Sequence, residues 1–119
     1  METFFSAMES AVYRHVYFVN NAGSLTPILP LTNIPPQQII DYVHLNITST
    51  ILLVKAFVQA VQRLNVRAAT LINISSLWAV EPAQDVSLYC IAKSARDMLS
   101  RVVALEVSSS IMFYILNLL

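Results

Sequence analysis

The stretch LINISSLWAVEPAQDVSLYCIAKSARDML, residues 71–99, decides the fold. Its first residues belong to a nearly unbroken apolar run over 66–75, which is typical of a central parallel strand covered on both faces. A loop over 76–85 follows. From Ser87 to about Val107, apolar residues recur at the spacing of a helix. The stretch therefore predicts a strand, a loop and a long helix in one βα unit.

Further predicted elements lie on both sides of this unit. Apolar spacing predicts a short amphipathic helix over 1–12, and β-branched and aromatic residues predict a strand over 13–19 that stops at NNAG, residues 20–23. A loop rich in proline leads to a helix from about Gln37 to Leu64. The middle of this helix is apolar almost all round, so we expect it to be buried on more than one side. IMFYIL, residues 111–116, predicts a last strand.

The order of helix, strand, helix, strand, helix, strand is typical of an α/β fold with a parallel sheet. Right-handed crossovers place both long helices on the same face of that sheet. The other face then has no cover within this sequence. We therefore predict one α/β domain over 1–119 that holds only the central portion of a larger sheet.

The composition excludes several classes of protein. Charged residues make up 12% of the chain and apolar residues 56%, which excludes a disordered chain. The net charge is zero, so no nucleic-acid partner is expected. No apolar run reaches the ~18 residues of a membrane span, so no membrane partner is expected either. The single cysteine, Cys90, excludes an internal disulfide and suits a cytoplasmic location.

Glycine is unusually scarce in this chain. Gly23 is the single glycine, where ~8 would be average for this length. Phosphate-binding loops need glycine so that their backbone can approach a ligand closely. A complete nucleotide-binding domain would rarely manage with one, which again indicates an incomplete domain.

Tyr89 and Lys93 are four residues apart on a predicted helix, so their side chains lie one above the other. A lysine ammonium beside a phenol favours the phenolate, which makes such a tyrosine a usable proton donor near neutral pH. Alone, this spacing also occurs by chance in ordinary helices. Ser76 follows the central strand, at the sheet edge where ligands bind in open α/β folds, and its hydroxyl can bond a substrate carbonyl. The structural alternatives are a capping role for Ser76 and a satisfied buried amide for Asn46.

These features occur together and in a fixed order: NNAG after a strand, Asn46 in the next helix, Ser76 after the central strand, and Tyr89 with Lys93. The combination resembles the short-chain dehydrogenase/reductase family over roughly residues 15–106. The resemblance implies a Rossmann-like NAD(P)-binding domain, here its central portion, and NADPH-dependent carbonyl reduction. The flanking pattern YC..K.ARDML is most similar to members that reduce a pterin side-chain ketone in tetrahydrobiopterin biosynthesis.

The resemblance also implies a role for each candidate residue. Tyr89 donates the proton, Ser76 orients the carbonyl, Lys93 assists the tyrosine and holds the nicotinamide ribose, and Asn46 anchors a water of a proton relay. The implied cofactor-binding residues are Asn20, Ala22, Gly23 and Lys93, and the implied substrate-binding residues are Ser76, Leu77 and Tyr89. No metal site is expected. Trp78 could stack on a flat pterin, although packing against its neighbours is the preferred interpretation.

The sequence departs from the family in two respects. It lacks the glycine-rich cofactor turn, and VSSSIMFYILNLL (107–119) fits the family poorly. We therefore expect a fragment of a pterin reductase that, alone, binds NADPH very weakly and reduces no pterin ketone. The alternatives are a truncated reductase for another carbonyl, or a non-catalytic short form that pairs with the full-length reductase. The helices at about 37–64 and 87–107 correspond to the family's dimer interface, which implies a homodimer.

Overall fold

A computed structural model of the chain describes residues 14–107 and 110–118. The helix predicted over 1–12 lies outside these residues. Within them, strands β1 (Val16–Asn20), β2 (Ala69–Ser76) and β3 (Ile111–Leu118) form one parallel sheet in the order β1-β2-β3. The α/β class and the central position of the apolar strand are therefore confirmed.

The register of the sheet places its polar strand ends side by side. Asn20, the last residue of β1, pairs with Asn73 of β2, and β2 continues for three further residues to Ser76. The NNAG turn (20–23) and the end of β2 consequently open at the same edge of the sheet, as expected for parallel strands.

The segment predicted as one helix over 37–64 is helical throughout but is not uniform. Helix α1 (Pro36–Val43) leads into a π-helical turn (His44–Thr48), and helix α2 (Ser49–Arg63) continues from it. In this turn the Ser49 N–H bonds to the carbonyl of His44, five residues earlier. Helix α3 (Ser87–Glu106) matches the predicted helix closely.

Helices α2 and α3 pack on the same face of the sheet. The core includes Phe57 and Val61 of α2 and Leu71 of β2, and Leu99 and Val103 of α3 pack against it. Burying an aliphatic or aromatic side chain of this size contributes roughly 1.5–3 kcal/mol. Both long helices therefore cover the same face of the sheet, as predicted.

The opposite face of the sheet is open in the part of the chain that the structure describes. Tyr17 is 63% exposed, and Val19, Met112 and Tyr114 are exposed beside it. Helix α2 also differs from its prediction, because Leu52 on its outer side is exposed rather than buried. Within the described residues, the side of α2 that faces the sheet is buried and its outer side is exposed.

The helical segment Pro36–Arg63 is long enough to cross a membrane, and an 18-residue window within it has a mean hydropathy of 1.3. The sequence predicts no span here, because no apolar run reaches ~18 residues. Core helices of soluble proteins meet the same criterion, and Val54, Phe57 and Val61 of this segment pack on the sheet. Length and composition are therefore weak evidence for a membrane span.

Candidate active site

A cavity of about 370 Å³ lies at the carboxyl end of the strands. Its volume is at the lower end of the range of about 300–1,000 Å³ for ligand pockets. Five of the predicted site residues line it: Gly23, Asn46, Ser76, Tyr89 and Lys93. The structure thus brings together residues that are up to 70 positions apart in the sequence, from Gly23 to Lys93.

The other predicted residues occupy different places. Asn20 is buried beneath the turn, and the carbonyl of Ala22 accepts a hydrogen bond from Arg96. Leu77 is exposed just beyond β2 and is not among the residues that line the cavity.

Lys93 lies directly beside Tyr89, as their spacing predicted. Its Nζ is 5.5 Å from the centroid of the Tyr89 ring, within the range of a cation–π contact. The same Nζ donates a hydrogen bond to the carbonyl of Ile74 at 2.8 Å. Burial, and secondarily the nearby Arg96 cation, lowers the pKa of Lys93. A buried ammonium is therefore held at the wall of the cavity.

Ser76 ends strand β2 in an extended conformation and begins the short 3-10 turn Leu77–Ala79. Its Oγ accepts a hydrogen bond from the Trp78 backbone N–H at 3.3 Å, so the capping role and the position in the cavity coexist. The hydroxyl proton is free to point to a ligand. The Trp78 ring meets the Tyr89 ring edge-on, with 5.9 Å between centroids. Trp78 thereby supports the tyrosine.

Asn46 ties the π-helical turn to the backbone that follows NNAG. Its Oδ1 accepts a hydrogen bond from the Ser24 N–H at 2.6 Å, and its Nδ2 donates to the carbonyl of Tyr42 at 3.1 Å. The Tyr42 hydroxyl in turn donates to the Ser24 carbonyl at 2.6 Å. Burial, followed by the proximity of Tyr89, raises the pKa of Tyr42 to about 12. The water relay through Asn46 stays a prediction.

A chain of buried polar side chains underlies the cavity. Asn20 Nδ2 donates to Asn73 Oδ1 at 3.0 Å, and Asn73 Nδ2 donates to Asp97 Oδ1 at 2.7 Å. Ser75 Oγ donates to the other oxygen of Asp97, also at 2.7 Å. These bonds connect the ends of β1 and β2 to helix α3, so the strand ends and the Tyr89 helix are held in one arrangement.

Arg96 is a buried residue of the cavity wall to which the sequence assigned no role. It is 2% exposed, it lines the cavity, and it donates hydrogen bonds to Asn20 and Ala22. Its position in the sequence could have indicated its burial, because Arg96 lies four residues after Ala92 and eight after Leu88, on the buried side of α3. A cation on an apolar helical stripe indicates a specific buried partner.

Comparison with known proteins agrees with this geometry. A model of the short chain dehydrogenase family matches residues 1–116. The chain therefore belongs to the short chain dehydrogenase family of oxidoreductases. A metagenomic short-chain oxidoreductase solved in complex with NADP superimposes with a TM-score of 0.81 at 26% identity, over 98% of this chain and 52% of that chain.

Two kinds of curated relative stand out. Sepiapterin reductase of Bos taurus is 36% identical over 97 residues, which cover 78% of this chain and 36% of the relative. Benzil reductase ((S)-benzoin forming) of Bacillus subtilis (strain 168) is 30% identical over 105 residues, which cover 88% of this chain and 43% of the relative. The chain thus spans less than half the length of these relatives.

Proposed function

We propose that this site is the catalytic centre of an NADPH-dependent carbonyl reductase of the sepiapterin reductase type, which reduces a pterin side-chain ketone in tetrahydrobiopterin biosynthesis. The observation that carries the proposal is that Ser76, Tyr89 and Lys93 line one cavity, with the lysine ammonium against the tyrosine ring. The similarity to sepiapterin reductases supports the choice of substrate.

The described residues fit the nicotinamide-ribose end of the cofactor. Gly23 lines the cavity with backbone alone, so no side chain of this residue stands between the turn and a ligand. Lys93 supplies a donor for the ribose hydroxyls, and Asn20, Ala22 and Gly23 form the adjoining turn. The bound cofactor would supply the hydride for the carbonyl carbon.

The chain's own residues handle the proton and the orientation of the substrate. Ser76 donates a hydrogen bond to the carbonyl oxygen and holds it near Tyr89, whose hydroxyl donates the proton as negative charge develops on that oxygen. Lys93 stabilises the phenolate that remains. The aromatic contact of Trp78 limits the positions that the Tyr89 ring can take.

Cofactor binding is tested first on the isotopically labelled chain by NMR titration. Reduced nicotinamide mononucleotide and NADPH should both shift the amide resonances of Gly23, Ser24 and Lys93, with similar affinities in the millimolar range. Similar affinities are expected because the cavity offers contacts to the half of the cofactor that the two probes share. Unchanged resonances with both probes would argue against the cofactor assignment.

Catalysis is tested on the product of the complete transcript, whether or not it equals residues 1–119. Tyr89→Phe should lower kcat for sepiapterin by about 100-fold or more, since the proton donor is lost. Tyr17→Phe, on the open face of the sheet, is the matched control and should leave kcat unchanged. Full activity of Tyr89→Phe would contradict the proposed role.

The alternative substrate is another carbonyl compound, and the similarity to benzil reductase favours an aromatic diketone. Comparing kcat/KM for sepiapterin and benzil decides between the two. The second alternative is a non-catalytic short form: a transcript that begins at Met1, with its product bound to a full-length reductase in a pull-down, would favour it.

We also propose a homodimer formed through α2 and α3, with no nucleic-acid or membrane partner and a cytoplasmic location. Exposed apolar side chains on the outer sides of these helices support the dimer. They are Ile51 and Leu52 of α2, and Ile91, Met98, Val102 and Leu105 of α3. The single cysteine and the zero net charge support the location and the absence of a nucleic-acid partner.

A further inference from the structure

Arg96 directs two of its three guanidinium nitrogens to the NNAG turn. Nη1 donates to the Ala22 carbonyl at 2.9 Å, and Nη2 lies 3.1 Å from both the carbonyl and the side-chain Oδ1 of Asn20. All three acceptors belong to residues 20–22. The arginine itself belongs to α3, three residues after Lys93.

Packing alone does not account for an arginine at this position. Removing a guanidinium from water costs several kcal/mol, and an apolar side chain of similar volume would fill the same space without that cost. Within the described residues, the hydrogen-bond partners of the Arg96 guanidinium are oxygens of the turn, and its Nε is buried without any partner there. The planar fork of arginine suits several acceptors on one side.

Gly23 shows how closely the turn and the guanidinium are fitted. A Cβ at this position would lie 2.9 Å from Arg96 Nη1, and real Cβ atoms essentially never come that close to another atom. The backbone conformation of Gly23 is not left-handed, so space rather than backbone conformation explains the glycine. The turn therefore approaches α3 as far as the guanidinium allows.

We propose that Arg96 is a positioning residue for the cofactor side of the cavity. It clamps the NNAG turn to the helix that carries Tyr89 and Lys93, and this clamp fixes the distance between the turn and the catalytic pair. The inference rests on the proposed function, because the turn is the segment to which cofactor contacts are assigned. Arg96 also contributes, after burial, to the lowered pKa of Lys93.

Four variants of the chain test this role. Arg96→Met removes the guanidinium, and Arg96→Lys keeps the charge with a single donor group. Arg101→Met changes an exposed arginine on the same helix. Val54→Ala, in the core under the sheet, lowers stability without touching the site. Unfolding by urea shows that each variant is folded and how much stability it loses.

The readout is the affinity for reduced nicotinamide mononucleotide by NMR titration. Arg96→Met should weaken binding by about tenfold or more, since small misplacements of binding groups have effects of this size or larger. Arg96→Lys should recover part of the loss, while Arg101→Met and Val54→Ala should bind as the parent does. Unchanged binding by Arg96→Met, or an equal loss in Val54→Ala, would overturn the inference.

A second readout needs no cofactor and separates this inference from the proposed function. In the ligand-free chain, Arg96→Met should speed hydrogen exchange of the Ser24 amide by about tenfold relative to the amide of Phe57. Val54→Ala should change both amides alike. If the parent binds no nucleotide but this difference is seen, the proposed function fails and the clamp stands. If both amides respond alike in Arg96→Met, the clamp is refuted.

Discussion

Ser75 and Asp97 share a buried hydrogen bond of 2.7 Å between the Ser75 hydroxyl and Asp97 Oδ2. The other oxygen of Asp97 accepts from Asn73 at the same distance. One carboxylate of α3 therefore receives two donors from β2 directly beneath the cavity. At Asp97, helix α3 is held to the sheet by hydrogen bonds, whereas at Leu99 and Val103 it is held by apolar packing.

Asp97→Ala should destabilise the fold by about 3 kcal/mol or more, because it leaves the donors of Asn73 and Ser75 buried and unpaired. Asp97→Asn should cost less, since the serine hydroxyl can rotate and accept a bond from the new amide. Urea unfolding measures both. The control, Asp41→Ala on the exposed side of α1, should stay within about 0.5 kcal/mol of the parent. Equal stability of Asp97→Ala and the parent would contradict the bonding described.

Gly23→Ala should cost about 1–3 kcal/mol, as expected for an added methyl group in a space that is already filled. The new Cβ must displace Arg96 Nη1 or Asn46 Oδ1, and both atoms are hydrogen-bonded. The measurement is again urea unfolding, with Asn21→Ala in the same turn as the control for a change at an exposed position. A fully stable Gly23→Ala would mean that the turn can move away from α3.

Lys93→Met should alter how stability depends on pH. Because burial lowers the pKa of Lys93 below its usual 10.5, the unfolded chain binds more protons than the folded chain between the lowered pKa and 10.5. The lysine therefore adds stability as the pH rises through that window. The free energy of unfolding of the parent should therefore rise relative to that of Lys93→Met as the pH approaches 10.5 from below. A difference between the parent and Lys93→Met that stays constant with pH would contradict the lowered pKa of Lys93.

Leu105→Glu should weaken self-association of the chain. Leu105 is 88% exposed on α3, and a carboxylate in an apolar interface is costly to desolvate. Sedimentation velocity should show a dimer for the parent and a monomer for the variant. Glu106→Ala, beside it on the same helix and also exposed, should remain dimeric. A monomeric parent over the whole accessible concentration range would refute the proposed interface.

Apolar periodicity located the main strands and helices of the described chain, because the sides that pack in the core are apolar. The helix from Ser87 was predicted almost to its ends, whereas the strand predicted over 66–75 forms over Ala69–Ser76. The contact between Tyr89 and Lys93 could also be predicted from the sequence, since it depends on helical geometry alone.

Contacts between segments that are distant in the sequence could not be predicted in the same way. Arg96 reaches Ala22 across 74 positions, and no local pattern encodes that distance. The π-helical turn also went unrecognised, because its extra residue leaves the apolar composition of the helix unchanged. The exposure of Leu52 could not be foreseen either, since an apolar residue does not reveal whether its cover lies in the same polypeptide.

The π-helical turn has a further consequence for the angular phase of the long helical segment. Each residue of an α-helix advances the side chains by roughly 100°, but the wider turn at His44–Thr48 takes up one extra residue, so the sequence period of α1 is displaced by one position relative to that of α2. Tyr42 faces the cavity and Phe57 faces the sheet within this one helical segment. A period of 3.6 residues counted along the sequence from Tyr42, with no allowance for the wider turn, therefore assigns the residues of α2 to the wrong faces.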